Sequence, residues 1–182
     1  MRYKKIKFST GIVLFLFLFL SLGIYSQNTT NPYIKDSKSI QSILDSYYDC
    51  ISGPIGEIRD FDRLKNLFHP QARLVYSYWD KESKKANLLI FNTLDEFILK
   101  LDYLDKKGFF EYEVANDTNS FSSISQVFST YRYRVEDNST PDNQGITSYE
   151  IFFDGNRYWI ISMFWVAENE KYKIPKKYLK RK

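Results

Sequence analysis

The sequence predicts an α+β domain in which helices lie on one face of a curved antiparallel sheet. Three observations carry this expectation. Apolar residues recur at helical spacing through much of the first half of the chain, they alternate at strand spacing through the second, and Asp154-Gly155 divides two alternating runs as a tight hairpin would. Helices and strands are therefore largely segregated along the chain, unlike the regular interleaving of a parallel α/β fold.

The first helix is expected from Ile40, Ile43, Leu44, Tyr47, Tyr48 and Ile51, which share one face until Ser52-Gly53-Pro54 ends it. A shorter second helix follows from Ile58, Phe61, Leu64, Leu67 and Phe68. It stops at His69-Pro70, because the residue before proline is pushed out of the helical region. Ala72 to Trp79 alternates β-branched and aromatic residues and reads as a strand, followed by a charged turn from Asp80 to Lys85. A third helix opens at Asn92-Thr93, where Thr93 and Glu96 have capping-box spacing. It runs through Leu94, Phe97, Ile98, Leu101 and Leu104 to a stop at Lys106-Lys107-Gly108.

Everything after Gly108 reads as sheet. Phe110, Tyr112 and Val114 alternate with Glu111 and Glu113, and Val127, Tyr131, Tyr133 and Val135 alternate with Arg132 and Arg134. Ile146 to Phe153 and Arg157 to Val166 flank the hairpin. The expected order is helix, helix, strand, helix, then four strands. Along the last strand, alternation places Trp159, Ile161, Met163 and Trp165 on one face and Tyr158, Ile160, Phe164 and Val166 on the other. Both faces are apolar, so one packs on helices while the other meets a subunit or lines a cavity.

The N-terminus has a basic start at Arg2, Lys4, Lys5 and Lys7, an apolar run from Gly11 to Leu22, and a small residue, Ser26, before a polar stretch. That pattern predicts a cleaved signal peptide over residues 1–26 and an exported, periplasmic or secreted protein. The run is shorter than the roughly 20 residues of a bilayer span, so no stable membrane anchor is expected after cleavage. Residues 27–38 read as a flexible lead-in, 39–170 as a single domain, and 171–182 as a solvated basic tail. Arg2 and the three early lysines leave with the signal, so the +4 net charge of the whole chain falls to near neutral. Few arginines and a small charge argue against a nucleic-acid partner.

The chain has one cysteine, Cys50, and one histidine, His69. No intramolecular disulfide can form, and metal sites built on several His or Cys ligands are excluded. No cofactor motif is present. His69 beside Pro70 reads as a turn residue, and Cys50, after Tyr47-Tyr48-Asp49 on a buried helix, reads as packing.

The order of elements, the segment Leu67-Phe68-His69-Pro70-Gln71-Ala72-Arg73-Leu74 and the closing Gly155-Asn156-Arg157-Tyr158-Trp159-Ile160-Ile161-Ser162 resemble the NTF2-like (SnoaL-like) superfamily, from about Ile40 to Glu168. The resemblance implies a conical fold, a curved antiparallel sheet packed against three N-terminal helices, with an interior used for catalysis in some members and for binding or dimerisation in others. In ketosteroid-isomerase-like members a catalytic carboxylate sits on the first strand, where this sequence has Tyr76. Their hydrogen-bond-donating tyrosine corresponds to Tyr48, and the last-strand histidine of SnoaL-like cyclases is replaced around Ser162, Met163 and Phe164. The expected ligand-binding residues are Tyr48, Tyr76, Tyr131 and Trp165, with Glu150 as a candidate inward carboxylate, and no catalytic residue is assigned. The resulting expectation is an aromatic-lined cavity for a small, largely apolar molecule. A lyase or isomerase and a homodimeric interaction module are the alternatives.

Overall fold

The computed structural model describes residues 31–136 and 142–180. The expected signal peptide, Arg181 and Lys182 lie outside the described residues, as does the first part of the lead-in. Four helices, α1 (Ile40–Ile51), α2 (Phe61–Leu67), α3 (Leu94–Leu101) and α4 (Leu104–Lys107), accompany six strands. The strands are β1 (Phe68–Asp80), β2 (Lys85–Phe91), β3 (Phe109–Phe121), β4 (Ile124–Val135), β5 (Asn143–Phe153) and β6 (Tyr158–Ala167). They form one sheet in the order β2-β1-β6-β5-β4-β3.

The starts of α1 and α3 follow their sequence signals, but α2 ends at Leu67, with Pro70 already inside β1 and Ile58 exposed ahead of the helix, and the expected third helix breaks at Asp102 and Tyr103 into α3 and α4. Ser39 and Ser42 cap α1 reciprocally, side chain to backbone in both directions, and the helix buries Ile43, Leu44, Tyr47, Tyr48 and Ile51. At α3 the Thr93 hydroxyl accepts from Glu96 N at 3.1 Å, while the Glu96 carboxylate accepts from Asn92 N rather than from Thr93 N. The capping box is thus displaced by one residue. In the hairpin after β5, the Asp154 carboxylate accepts from the amides of Asn156 and Arg157, and Gly155 takes a φ of 97°, open to glycine without strain.

The expected order of elements misses one strand. β2 pairs antiparallel with β1 from Leu74↔Phe91 to Asp80↔Lys85. Its Leu88-Leu89-Ile90-Phe91 run has no alternation, because an edge strand wrapping the cone mouth buries neither face fully, and Leu88, Leu89 and Ile90 all stay exposed. The Asp80 carboxylate, accepting from Glu82 N and Ser83 N, sets the turn that pins the register. The sheet is also mixed rather than wholly antiparallel, since β1 runs parallel to β6.

The long strands bend where their registers shift, in β1 between Phe68 and Arg73 against β6 and at a one-residue bulge in each of β3 and β6. In β3 the pairing skips Val114, and in β6 it skips Ile161. The second corrects the expected faces of the last strand: Ile160 joins Met163 and Trp165 on the concave side, whereas Phe164 and Val166 face outward, 45% and 39% exposed.

Between α1 and α2 the chain is held by Arg59, a buried side chain whose guanidinium donates to the carbonyls of Ile51 (3.3 Å), Glu57 (2.7 Å), Gly53 (2.6 Å) and Leu104 (3.4 Å). It takes up the Ile51 carbonyl, which the end of α1 leaves without an intrahelical partner, and ties it to the loop that follows and to α4. The C-terminal segment touches the sheet through a few side chains while its lysines from Lys171 to Lys180 stay exposed. Glu168 accepts from Ile174 N and from Lys173. Tyr172 packs edge-on to Trp79, Tyr178 packs on Phe128, and the Thr130 hydroxyl donates to Tyr178 O at 2.7 Å. Residues 168–180 therefore form a strap across the convex face of the sheet.

Candidate functional site

The concave face and the helices enclose a cavity of about 450 Å³. Every strand contributes to it. One wall is a stacked run of rings, Phe91 on Trp165 (6.0 Å, 8° between planes), Trp165 on Tyr76 (5.6 Å, 25°), with Phe97 of α3 set edge-on to Trp165 at 5.7 Å. The opposite wall stacks Phe109, Tyr133 and Tyr131 at 5.5 and 6.3 Å. Tyr47 and Ile51 of α1, Thr147 of β5, and Lys100, Tyr103 and Lys107 from the ends of α3 and α4 also line it. Such walls suit flat apolar bodies, since offset stacking and edge contacts add to simple burial.

One carboxylate faces this space, Glu111 of β3. Its position is fixed through the backbone. β3 is an edge strand, so the amide and carbonyl of Glu111 point away from β4, and both are taken by Ser52 at the end of α1. The Ser52 hydroxyl accepts from Glu111 N at 2.9 Å and donates to Glu111 O at 3.1 Å. The side chain is therefore aimed inward by a local clamp. Removal from bulk water pushes its carboxyl up to about 8. Burial, reinforced by this neighbouring carboxyl, also raises Tyr47, Tyr103, Tyr131 and Tyr133 above the usual phenol range, and burial raises Tyr76. At neutral pH the interior thus presents phenol hydroxyls and a largely protonated Glu111. Among the described residues, no tyrosine hydroxyl is hydrogen-bonded to its carboxyl.

Of the residues expected from sequence, Tyr76, Tyr131 and Trp165 lie together on the lining. Tyr48 does not. It is buried one helical position away from the cavity, its hydroxyl 3.1 Å from Ser129 Oγ, which donates to Glu113 at 2.7 Å, and Tyr47 takes the lining place. Glu150 requires correction: it is exposed on the convex face, accepting from Gln126 at 3.3 Å, because Gly145, Thr147, Tyr149 and Ile151 occupy the inward positions of β5. Glu111, Tyr103, Tyr133 and the two lysines were not anticipated.

The reason is a reversal of face on β3. Phe110, Tyr112 and Val114 are the apolar members of the alternation, yet Phe109, Glu111 and Glu113 point inward. Tyr112 is half exposed, and Phe110 lies under the Arg134 guanidinium, 4.2 Å from its ring. The parity of Glu111 with Phe109, the first residue after the Gly108 stop, is the signal in the sequence that points inward.

The remaining chemistry-bearing residues are structural. Cys50 is buried, and burial pushes its thiol up to about 12, far from a reactive thiolate. His69 accepts from Gln71 N at 3.2 Å and packs edge-on to Trp159, away from the cavity lining.

No family model matches the chain, and none of the curated proteins matches it. Solved structures do. An NTF2-like protein of unknown function from Pseudomonas putida superposes with a TM-score of 0.55 at 9% identity, covering 75% of this chain and 90% of that one. A scytalone-dehydratase-like protein from Novosphingobium aromaticivorans gives 0.52 at 12% identity, over 75% and 87%. Nuclear transport factor 2 from Cryptosporidium parvum gives 0.51 at 15%, over 76% and 97%. Likeness at these identities speaks for architecture alone. With the six-stranded curved sheet, its helices on the concave side and the enclosed cavity, the conclusion is that this chain has the NTF2-like fold.

Proposed function

We propose that the protein is an exported NTF2-like domain that binds a small, largely apolar molecule in its aromatic-walled cavity. The observation that supports this most is the pair of stacked walls, Phe91-Trp165-Tyr76 and Phe109-Tyr133-Tyr131, around a cavity of about 450 Å³. Core packing alone leaves few spaces larger than a water molecule. Export rests on the N-terminal sequence pattern. Native mass spectrometry of the mature protein from its own host tests both parts. A retained stoichiometric ligand on a chain beginning near Gln27 supports them; an empty cavity, or a chain that keeps residues 1–26, refutes the corresponding part.

One observation favours a second reading as a lyase or isomerase. Glu111, its carboxyl pushed up to about 8 by removal from bulk water in the cavity, has the proton affinity of a general acid or base at neutral pH. The scytalone-dehydratase-like neighbour shares the fold but lends no residue to this argument. Turnover of a bound carbonyl or alcohol compound, abolished by Glu111→Gln with binding retained, would decide for catalysis. A homodimer would use Phe164 and Val166, apolar residues that stay exposed on the convex face, and a single protomer mass in the same experiment argues against it.

A further inference from the structure

A second cavity, of about 280 Å³, lies on the other side of the sheet, between its convex face and the strap. Its floor is one row of the sheet. Ser77 of β1, Val166 of β6 and Ile146 of β5 are in direct register, so their side chains share the convex face. Trp79, two residues on from Ser77, stands on that face too and meets Tyr172 of the strap edge-on at 5.6 Å.

The strap is attached on both sides of this space. Glu168 accepts from Ile174 N, Gln144 Nε2 and Lys173 Nζ, each at 3.0 Å. Thr130, which continues the floor row beyond Ile146, donates to Tyr178 O. Between these points the Asn169 side-chain oxygen accepts from the amides of Lys171 and Tyr172 at 3.0 Å, which closes a turn. The strap is thus held off the floor, where simple packing would bring it down. Two charged side chains line the space, Glu168 and Lys173, and they pair with each other. Lys171 lies 4.3 Å over the Trp79 ring, off the lining. The Ser77 hydroxyl lines the floor and has no hydrogen-bond partner among the described residues.

We propose that the space beneath the strap is a second binding site, for a small uncharged ring compound with one hydrogen-bonding group. The ring lies on Val166 and Ile146 beside Trp79, and the polar group meets the Ser77 hydroxyl. An ion of either sign would enter a space whose charges are already paired. An apolar cavity of roughly 150 Å³ suffices for benzene, so this one has room for a substituted ring. The inference does not rest on the concave cavity, which lies on the opposite face of the sheet.

The three tryptophans report on different places: Trp79 on this space, Trp165 on the concave cavity and Trp159 beside the β5–β6 hairpin. Three probes of one shape, p-cresol, p-methylbenzoate and p-methylbenzylamine, are titrated into the full mature protein at neutral pH while the indole N–H resonances are followed by NMR. Cresol, a phenol with a pKa of about 10, stays uncharged there. It is expected to shift the Trp79 resonance saturably, with each charged probe at least about tenfold weaker at that resonance. Ser77→Val, which removes the hydroxyl and keeps the volume, should weaken cresol about fivefold at Trp79 and leave any Trp165 response unchanged. Absence of a saturable Trp79 shift, a response confined to Trp165, or charged probes that match cresol at Trp79 overturns the second site in the wild-type protein alone. Unchanged cresol affinity in Ser77→Val overturns the assigned polar contact. Failure at Trp165 with success at Trp79 would count against the concave-cavity reading and leave this site standing.

Discussion

Glu111→Gln tests the interior electrostatics directly, through stability. In the folded chain the Glu111 carboxyl titrates near 8 rather than at the usual 4.5, because burial penalises its charged form. Unfolding returns it to water, so between those two values the native state holds a proton that the unfolded chain has released. Stability then falls as pH rises, by about 1.4 kcal/mol per pH unit and about 5 kcal/mol at most across the window. Its contribution is fully favourable below 4.5 and lost above 8. Cavity water reaches the half-buried side chain, so a loss of about 2–4 kcal/mol is the working expectation. The phenols that face it from α1, β1, β4 and the α3–α4 junction are all shifted upward and stay protonated through this range. Glutamine keeps the volume and cannot ionise. Urea unfolding of both proteins at about pH 5, 7 and 9 should give similar midpoints at the acid end and an increasingly more stable variant at the alkaline end. Parallel pH profiles, or a wild-type protein that gains on the variant with rising pH, would refute the burial of this carboxyl.

Other perturbations follow from single contacts. A methyl group on Gly145 would overlap the Tyr131 hydroxyl and lie 2.5 Å from Val166 O, so Gly145→Ala should destabilise by about 2–4 kcal/mol in thermal melts. Tyr131→Phe in that background should restore only part, because the backbone carbonyl remains. Arg59→Met leaves four carbonyls without their guanidinium and should cost about 3 kcal/mol in denaturant titration, whereas a loss below about 0.5 kcal/mol would remove its structural role. The Tyr149 hydroxyl is buried and approaches Tyr48 without reaching hydrogen-bond geometry, while Tyr48 pairs with Ser129. Tyr149→Phe should therefore be neutral or stabilising and Tyr48→Phe should lose about 1 kcal/mol, an ordering that calorimetric melting would reverse if the partners were misassigned.

Much of the helical structure was legible because its signals are local, a cap at Thr93 and a stop at Gly108, whereas Pro70 fell inside β1 and not at the end of α2. The hairpin at Asp154-Gly155 was legible for the same reason. Three cavity aromatics, Tyr76, Tyr131 and Trp165, could be read from strands that alternate cleanly where they sit. β2 was not legible, since its pairing with β1 is carried by a turn and not by its own pattern. Glu111 was hidden for a deeper reason. Polarity is the usual guide to which side of a strand is wet, and a pocket reverses that guide at the one place where a polar group is put inside. Glu150 shares its strand face with Ser148 and Phe152, and that face is the convex one, since Tyr149 and Ile151 take the buried positions.

The skipped residues Val114 and Ile161 are surplus length. Each adds a residue to its strand without adding a rung to the ladder, so deleting both would leave every lining side chain on the face it now occupies. What would change is curvature, because a bulge bends its strand and tightens the local twist. The two spare residues therefore bear on the curvature of the concave face rather than on which side chains line it.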